Sequence, residues 1–296
     1  MNEIKGLGIA LVTPFKTDNS VDFTALERLI NRCVNGGVDY LVSQGTTGES
    51  ATLTMAEKQE VLRFTKEVLN HRLPLVLGHG GNNTQGLIDG FGSFDWSGVS
   101  ACLSASPYYN KPTQQGIFAH YSAFAKACPV PVILYNVPGR TASNVDAETT
   151  IALAKLQKNI VAIKEASGDL DQMGQLLKNR PEDFVVLSGD DNLVLSQLAI
   201  GADGVISVIG NALPKEFSDL VHLGLKGDML AARQRNFQLM DIIPLLFKDG
   251  NPAGVKSAME MMGIMSEKVR LPLVETTTAT KKELYEALSQ AGIQLD

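Results

Sequence analysis

One lysine of the sequence stands where a short apolar run ends, in a position where an amine can do chemistry. The run Val161-Ala162-Ile163 predicts a buried strand, and after Lys164 the chain continues in small and polar residues. Such an amine either reaches water or an acid, or is held partly out of water. In the second case it loses its proton more easily and can attack a carbonyl to form a Schiff base. The stretch by itself favours the first interpretation, so the rest of the chain has to decide.

Composition and charge narrow the class of protein. The chain has 296 residues, of which 44% are hydrophobic and 20% charged, as in ordinary globular proteins. Its net charge of -6, without a cluster of lysine and arginine, argues against a nucleic-acid surface. The polar start resembles no signal peptide, and no apolar run reaches the length of a membrane span. Cys33, Cys102 and Cys128 fit no zinc spacing, so we expect reduced thiols in a cytoplasmic protein.

The order of strand-like and helix-like patterns predicts the fold. Eight apolar runs alternate with helical patterns at a spacing of roughly 20–35 residues, which is the period of a (β/α)8 TIM barrel, an α/β fold. A doubly wound open sheet is the alternative, but no Gly-x-Gly-x-x-Gly follows the first run and no phosphate-binding loop is present. We expect the barrel in residues 1–224 and a small C-terminal helical appendage in residues 225–296. The predicted strands are 6–12, 40–43, 73–78, 99–104, 131–135, the run before Lys164, 184–187 and 204–208.

In a barrel of this kind, the residues that follow the strands meet at one mouth. Taken singly, they have ordinary explanations: threonines in turns bond nearby backbone, and tyrosines at strand ends pack with a wet hydroxyl. Together, one amine, several hydroxyls and one guanidinium suit a carbonyl substrate that carries carboxylates. A metal site would need clustered histidine, cysteine or acidic residues, and of 4 histidines only His79 follows a predicted strand. We expect His79 to be a loop residue that lines the mouth. The candidates are Thr46, Thr47, Tyr108, Tyr109, Tyr135, Arg140, Lys164, Gly189 and Ile206.

Five motifs of the chain resemble those of the dihydrodipicolinate synthase family, which belongs with N-acetylneuraminate lyase to the pyruvate-dependent class I aldolases. The resemblance extends from about residue 7 to residue 272 in the same order and spacing, and the motifs are specific in combination. It implies a reaction of pyruvate with L-aspartate 4-semialdehyde, without a cofactor beyond the covalent imine. It also implies a homodimer or homotetramer. The motifs are Gly45-Thr46-Thr47-Gly48-Glu49-Ser50, Tyr108-Tyr109-Asn110-Lys111-Pro112, Tyr135-Asn136-Val137-Pro138-Gly139-Arg140-Thr141, Ile163-Lys164-Glu165-Ala166 and Ser188-Gly189-Asp190-Asp191.

The same resemblance implies the roles of four catalytic residues. Lys164 would form the Schiff base with the keto carbon of pyruvate, and Tyr135 would deliver and accept protons. Thr46 would link its hydroxyl to that of Tyr109, which in this family reaches in from a neighbouring subunit. The residue types support these roles, because a chain of hydroxyls can carry protons between solvent and a buried imine.

Four further residues are predicted to bind the substrates. By resemblance, Thr47 would hold the pyruvate carboxylate, and Ile206 would contribute a backbone contact. Arg140 would bind the carboxylate of aspartate semialdehyde, and its forked guanidinium suits that role. Gly189, just past the seventh predicted strand, completes the set. A sialic-acid lyase is the nearest alternative but is expected to lack the Val-Pro-Gly-Arg-Thr run, and a non-catalytic barrel that binds a keto acid is a third possibility.

The resemblance extends in part to an inhibitory lysine site at a subunit interface. Four positions agree with the family's lysine-inhibited pattern, namely Ser50, Ala51, Asn82 and Tyr108. Met55 and Lys58 stand where that pattern has histidine, and Gly86 stands where it has the glutamate that would hold the lysine amine. Without that carboxylate a charged hydrogen bond is lost, so the sequence predicts weak or absent inhibition by lysine.

Overall fold

The structure, a computed structural model, describes residues 4–296. Eight parallel strands form a closed barrel in which each strand pairs with the next and the first pairs with the eighth. This confirms the predicted TIM barrel, and most of the predicted strand ends lie within two residues of the observed ones. The strands are β1 (Gly6–Ala10), β2 (Tyr40–Ser43), β3 (Leu75–Gly78), β4 (Ala101–Ala105), β5 (Val132–Asn136), β6 (Ile160–Glu165), β7 (Val185–Ser188) and β8 (Gly204–Ser207).

Helices connect the strands and continue beyond the barrel. Asp22 caps the first helix through a hydrogen bond to the Ala25 amide, and Thr54 forms a reciprocal capping box with Glu57 at the second. The helices are α1 (Phe23–Asn35), α2 (Met55–Leu69), α3 (Thr84–Gly90), α4 (Gln114–Ala127), α5 (Pro138–Thr141), α6 (Ala147–Leu156), α7 (Leu170–Asn179), α8 (Val194–Ala199), α9 (Pro214–Leu225), α10 (Met229–Leu239), α11 (Ile242–Lys248), α12 (Ala253–Met261) and α13 (Thr278–Gln290).

The C-terminal appendage contains a break between two helices where the sequence pattern is continuous. The stretch 228–247 reads as one helical segment in the sequence, but the structure divides it into α10 and α11 at Met240 and Asp241. Pro244 explains the break, because proline lacks an amide hydrogen and is tolerated only in the first turn of a helix. The buried residues Ile243 and Leu246 of α11 join the same apolar cluster as Leu7 and Leu11 of the barrel. The boundary at residues 224 and 225 stays a prediction.

His79 does not line the mouth of the barrel, so that expectation is wrong. Its Nε2 lies 2.8 Å from the carbonyl oxygen of Leu87, and its ring centroid lies 5.2 Å from that of Phe91 and 5.6 Å from that of Phe94. The alternation of β3 explains this position, because Val76 faces the barrel interior and a residue three places further faces the surrounding helices. His79 therefore packs beneath α3.

Cys102 is fully buried in β4, where it fills space among apolar side chains, and all three cysteines are free. Across residues 4–296, no helix is long and apolar enough to cross a membrane.

Candidate active site

A cavity of about 440 Å³ opens at the carboxyl ends of the barrel strands. It brings together six of the residues that the sequence predicts for the site, although they are spread over more than 140 positions. Two larger surface grooves, of about 690 and 590 Å³, lie away from these strand ends. The six residues are Thr46, Thr47, Tyr135, Arg140, Lys164 and Gly189.

Lys164 lies near the carboxyl end of β6 and is buried, with 5% of its surface exposed. It pairs with Tyr135 in β5, so the two side chains stand at the same height, and its Nζ lies 4.5 Å from the centre of the Tyr135 ring. The face of an aromatic ring attracts a cation but accepts no strong hydrogen bond. Within residues 4–296, the amine forms no hydrogen bond or ion pair, which leaves it available to an incoming substrate.

A second buried lysine has the opposite surroundings. The Nζ of Lys256 lies 2.6 Å from Oε1 of Glu49 and 2.8 Å from the carbonyl oxygen of Lys268, and it does not face the cavity. Burial lowers the pKa of Lys256, and the Glu49 carboxylate opposes that shift. An amine held by an acid in this way is a poor nucleophile. Of these two buried lysines, Lys164 is therefore the candidate for covalent chemistry.

Gly189 leaves the space into which Lys164 extends. A Cβ atom at this position would lie 3.0 Å from Cε of Lys164 and 2.5 Å from Cβ of Ala166. The backbone is held close, because the Gly189 amide donates to the carbonyl oxygen of Glu165 at 2.7 Å. Position 189 therefore requires a residue without a side chain, because the Lys164 side chain occupies the adjacent space.

Thr47 is almost fully buried in the loop after β2, and a residue of the appendage binds its hydroxyl. Nδ2 of Asn251 donates to Oγ1 of Thr47 at 3.0 Å across 204 residues of sequence. Asn251 also lines the cavity, together with Pro244 and Phe247 of α11. These three residues were not predicted as site residues, because Asn251-Pro252 reads in the sequence as a helix start and nothing local indicates its distance from Thr47.

Arg140 and Ile206 lie at different depths. Arg140 is exposed on α5, where its guanidinium stands at the rim of the cavity. Ile206 is buried in β8 and does not form part of the wall, whereas Val208, two residues later, does.

Oδ2 of Asp191 fixes the segment after β8, since it accepts hydrogen bonds from the amides of Val208 at 2.9 Å and Ile209 at 2.8 Å. Burial raises the pKa of Asp191 to about 6.

A buried polar network supports the strands that carry Tyr135 and Lys164. Glu165, fully buried, accepts from Nδ2 of Asn136 at 2.9 Å, from Nε2 of Gln172 at 2.9 Å and from the amide of Ser167 at 2.7 Å. The network joins β5, β6 and α7 behind the cavity. Both carboxylate oxygens of Glu165 accept hydrogen bonds. The network therefore fixes the backbone on which the side chains of Tyr135 and Lys164 stand.

Besides Ile206, five of the predicted residues lie outside the cavity wall. Tyr109 is 88% exposed and has a left-handed backbone, with φ of 73°. Nδ2 of Asn82 donates to the carbonyl oxygen of Tyr108 at 3.3 Å, and Ser50 and Ala51 belong to the short 3-10 turn that follows Glu49. The five residues are Tyr109 and the four positions of the expected lysine site, Ser50, Ala51, Asn82 and Tyr108.

Fold and cavity together define the class. Barrel enzymes place their chemistry at the carboxyl ends of the strands, and an unpaired, buried amine at that end is suited to forming an imine with a carbonyl substrate. The protein is thus a barrel enzyme of the class I aldolase type. The sequence matches the model of the "Dihydrodipicolinate synthetase family" over residues 3–291, and the chain belongs to that family.

Individual relatives agree with this assignment over nearly the whole chain. The 4-hydroxy-tetrahydrodipicolinate synthase of Parabacteroides distasonis is 48% identical over 291 residues, which cover 98% of each chain. The crystal structure of dihydrodipicolinate synthase from Aquifex aeolicus superimposes with a TM-score of 0.95 at 38% identity, covering 99% of this chain and 100% of the other. The chloride-inhibited enzyme from Acinetobacter baumannii, complexed with pyruvate, gives a TM-score of 0.95 at 38% identity, covering 98% of this chain and 100% of the other.

Proposed function

We propose that this protein condenses pyruvate with L-aspartate 4-semialdehyde to give 4-hydroxy-tetrahydrodipicolinate, a step of diaminopimelate and lysine biosynthesis. The observation that carries the proposal is the free amine of Lys164, which faces Tyr135 in the cavity at the strand ends. The family to which the chain belongs, and its relatives among the 4-hydroxy-tetrahydrodipicolinate synthases, support the choice of substrates.

The first half of the reaction would attach pyruvate to Lys164. The amine attacks the keto carbon, and the loss of water gives an imine. The hydroxyl oxygen of Thr47 accepts a hydrogen bond from Asn251, so its own hydrogen is free to be donated to the pyruvate carboxylate. Donors of this kind fix the substrate with its keto carbon close to the amine.

The second half would form the new carbon–carbon bond. The imine draws electrons from the methyl group of pyruvate, which loses a proton and becomes an enamine. Tyr135, beside the amine, is placed to move this proton, and Thr46 is a second hydroxyl of the same wall. The enamine carbon attacks the aldehyde carbon, and the amino group of the second substrate then displaces Lys164 as the ring closes. The imine is the electron sink throughout, so the proposed route uses no metal or organic cofactor.

Mass spectrometry after borohydride reduction tests the covalent step. Borohydride traps an imine as a stable amine, so we expect pyruvate plus borohydride to add one pyruvate-derived group on the peptide that contains Lys164. The peptide that contains Lys256 is an internal control, because that amine is held by Glu49. The absence of any adduct, or an adduct on another residue, would contradict the proposed function and favour a barrel that only binds a keto acid.

Arg140 separates the proposed synthase from a sialic-acid lyase. Its exposed guanidinium at the rim can form two hydrogen bonds to the carboxylate of aspartate semialdehyde, whereas a long polyol has no carboxylate at that point. Turnover of aspartate semialdehyde without cleavage of N-acetylneuraminate is the expected outcome. Cleavage of N-acetylneuraminate at a comparable rate would favour the lyase.

We further propose that a second copy of the chain completes the site as a homodimer, alone or within a homotetramer in the cytoplasm. Tyr109 is 88% exposed, lies outside the cavity of its own chain and stands next to the half-exposed Tyr108. A tyrosine that projects so far from its own chain is suited to reaching the Thr46 hydroxyl of another copy.

Tyr109→Phe tests that arrangement. The variant should lower turnover by roughly 10- to 100-fold, the effect of losing one proton-transfer group. Imine trapping by borohydride should persist, because the tyrosine carries protons and does not attack. Tyr285→Phe is the matched control, since Tyr285 is an exposed tyrosine of α13, and its turnover should equal that of the parent. Parental turnover of Tyr109→Phe would show that the relay assignment is wrong.

Lysine is expected to inhibit this enzyme weakly or not at all. Gly86 provides no carboxylate for the lysine amine, and Lys58 stands where the lysine-inhibited pattern has histidine. Titration of L-lysine into the condensation assay checks this, with D-lysine as the control for non-specific effects. Strong inhibition below millimolar concentration would contradict the prediction.

A further inference from the structure

The motif Gly45-Thr46-Thr47-Gly48-Glu49 ends in an acid that plays no part in the proposed reaction. Glu49 is fully buried, lies outside the cavity and forms an ion pair with the fully buried Lys256 of α12, with 2.6 Å between Oε1 and Nζ. The backbone at Glu49 is left-handed, with φ of 51°, a conformation that few residues other than glycine and asparagine adopt readily. A strained backbone and a buried charge at one residue require a compensating interaction.

Three segments of the chain meet at this ion pair. The second carboxylate oxygen of Glu49 accepts from the amide of Arg270 at 2.9 Å, and Lys256 donates to the carbonyl oxygen of Lys268 at 2.8 Å. The ring of Phe15 lies against both cations, 4.3 Å from Nζ of Lys256 and 4.3 Å from Cζ of Arg270. The carboxylate therefore ties the loop after β2 to α12 and to the segment 268–270 of the appendage.

The same part of the appendage also touches a substrate-binding residue. Asn251 precedes Lys256 by five residues and binds the hydroxyl of Thr47, which precedes Glu49 by two. The two segments are thus joined at two points, one in the wall of the cavity and one behind it. A displacement of Glu49 must move Thr47, because Gly48 alone separates them.

We propose that the Glu49–Lys256 ion pair positions the Thr46-Thr47 turn for pyruvate, so that the appendage controls substrate binding in the barrel. This inference rests on the proposed function. Glu49 and Lys256 are positioning residues, because neither touches the cavity. A buried ion pair is a poor source of stability compared with apolar side chains of similar volume, whereas its fixed length and direction specify geometry.

Glu49→Gln tests the proposal through the affinity for pyruvate. The change keeps the shape of the side chain but removes the opposite charge, so the Lys256 charge stays buried with only neutral acceptors, a state that we expect the loop to relieve by moving outward. We expect the pyruvate concentration for half-maximal imine trapping, and the KM for pyruvate, to rise roughly 10-fold. The turnover at saturating pyruvate should change less, since Lys164 and Tyr135 stand on other strands.

Three further variants separate positioning from general stability. Asp203→Asn breaks the ion pair between Asp203 and Arg180 at the amino-terminal end of β8, so it should lower the melting temperature without changing the pyruvate KM. Lys256→Arg keeps the charge and should retain more pyruvate affinity than Lys256→Met. A purely structural pair would give equal pyruvate KM values in all of these variants.

The outcomes are decisive in each case. Folded Glu49→Gln with a pyruvate KM within about two-fold of the parent overturns the proposal. If Glu49→Gln does not fold, Glu49→Asp decides, because it keeps the charge but shortens the side chain. A raised KM then supports positioning, and an unchanged one overturns it. A parent protein that traps no pyruvate would instead refute the proposed function, which keeps the two failures distinct.

Discussion

Lys164→Arg is expected to abolish imine formation and to lower turnover by roughly 10⁴-fold or more, the scale of losing a covalent nucleophile. Arginine keeps the positive charge and the approximate length of the side chain, but its guanidinium does not lose a proton in proteins and cannot form the imine. The effect therefore isolates the chemistry of the amine from its charge. Borohydride trapping with pyruvate and the condensation assay measure it directly.

Lys256→Arg is the matched control for this experiment. Both lysines are buried, but Lys256 already donates to Glu49, a partner that arginine can also bind. At saturating pyruvate, we expect Lys256→Arg to form the imine on Lys164, whereas Lys164→Arg does not. Residual turnover of Lys164→Arg within about 10-fold of the parent would mean that the proposed covalent route is wrong.

Gly189→Ala is expected to lower turnover by roughly 100-fold, the cost of moving a reacting atom by about 1 Å. The new methyl group would lie 3.0 Å from Cε of Lys164 and 2.5 Å from Cβ of Ala166, and the latter distance is too short for a non-bonded contact between two side chains. Either the loop after β7 or the lysine must shift. A slower rate of imine trapping at saturating pyruvate would identify the shift of the lysine.

Gly174→Ala provides the comparison for that variant. Gly174 lies in α7, and no atom outside its own helical backbone lies within 4 Å of the position of its Cβ. Alanine favours a helix over glycine by roughly 1 kcal/mol, so this variant should be slightly more stable and fully active. If Gly189→Ala also turned over at the parental rate, the close approach to Lys164 would have no catalytic importance.

The architecture was predictable because the relevant signals are local. Strands buried on both sides read as continuous apolar runs, and caps such as Thr54 with Glu57 mark helix starts within four residues. The position of Lys164 at the end of its run, together with the barrel, was enough to place it at the mouth. Six predicted residues line the cavity for the same reason, since strand ends in a parallel barrel share one face.

The sequence does not predict features that depend on contacts between residues far apart in the chain or on the direction in which a side chain points. His79 faces outward because β3 alternates, and a single position along the strand reverses the expected environment. Asn251 reaches Thr47 across 204 residues, and no periodicity of the sequence carries that information. Glu49 belongs to the motif that follows β2, but its partner Lys256 lies 207 residues later and reads as an ordinary helix residue.

Closure of the barrel places a condition on how the protein is made. Gly6 of β1 pairs with Gly204 of β8, so this ladder cannot form until nearly 200 further residues have been synthesised. At roughly 5–20 residues per second, the first strand waits about 10–40 s for its partner. During that time β1 presents an unpaired edge of the kind that recruits other chains. A circular permutant would meet the same condition, because in a closed barrel the strand made first always pairs with the strand made last.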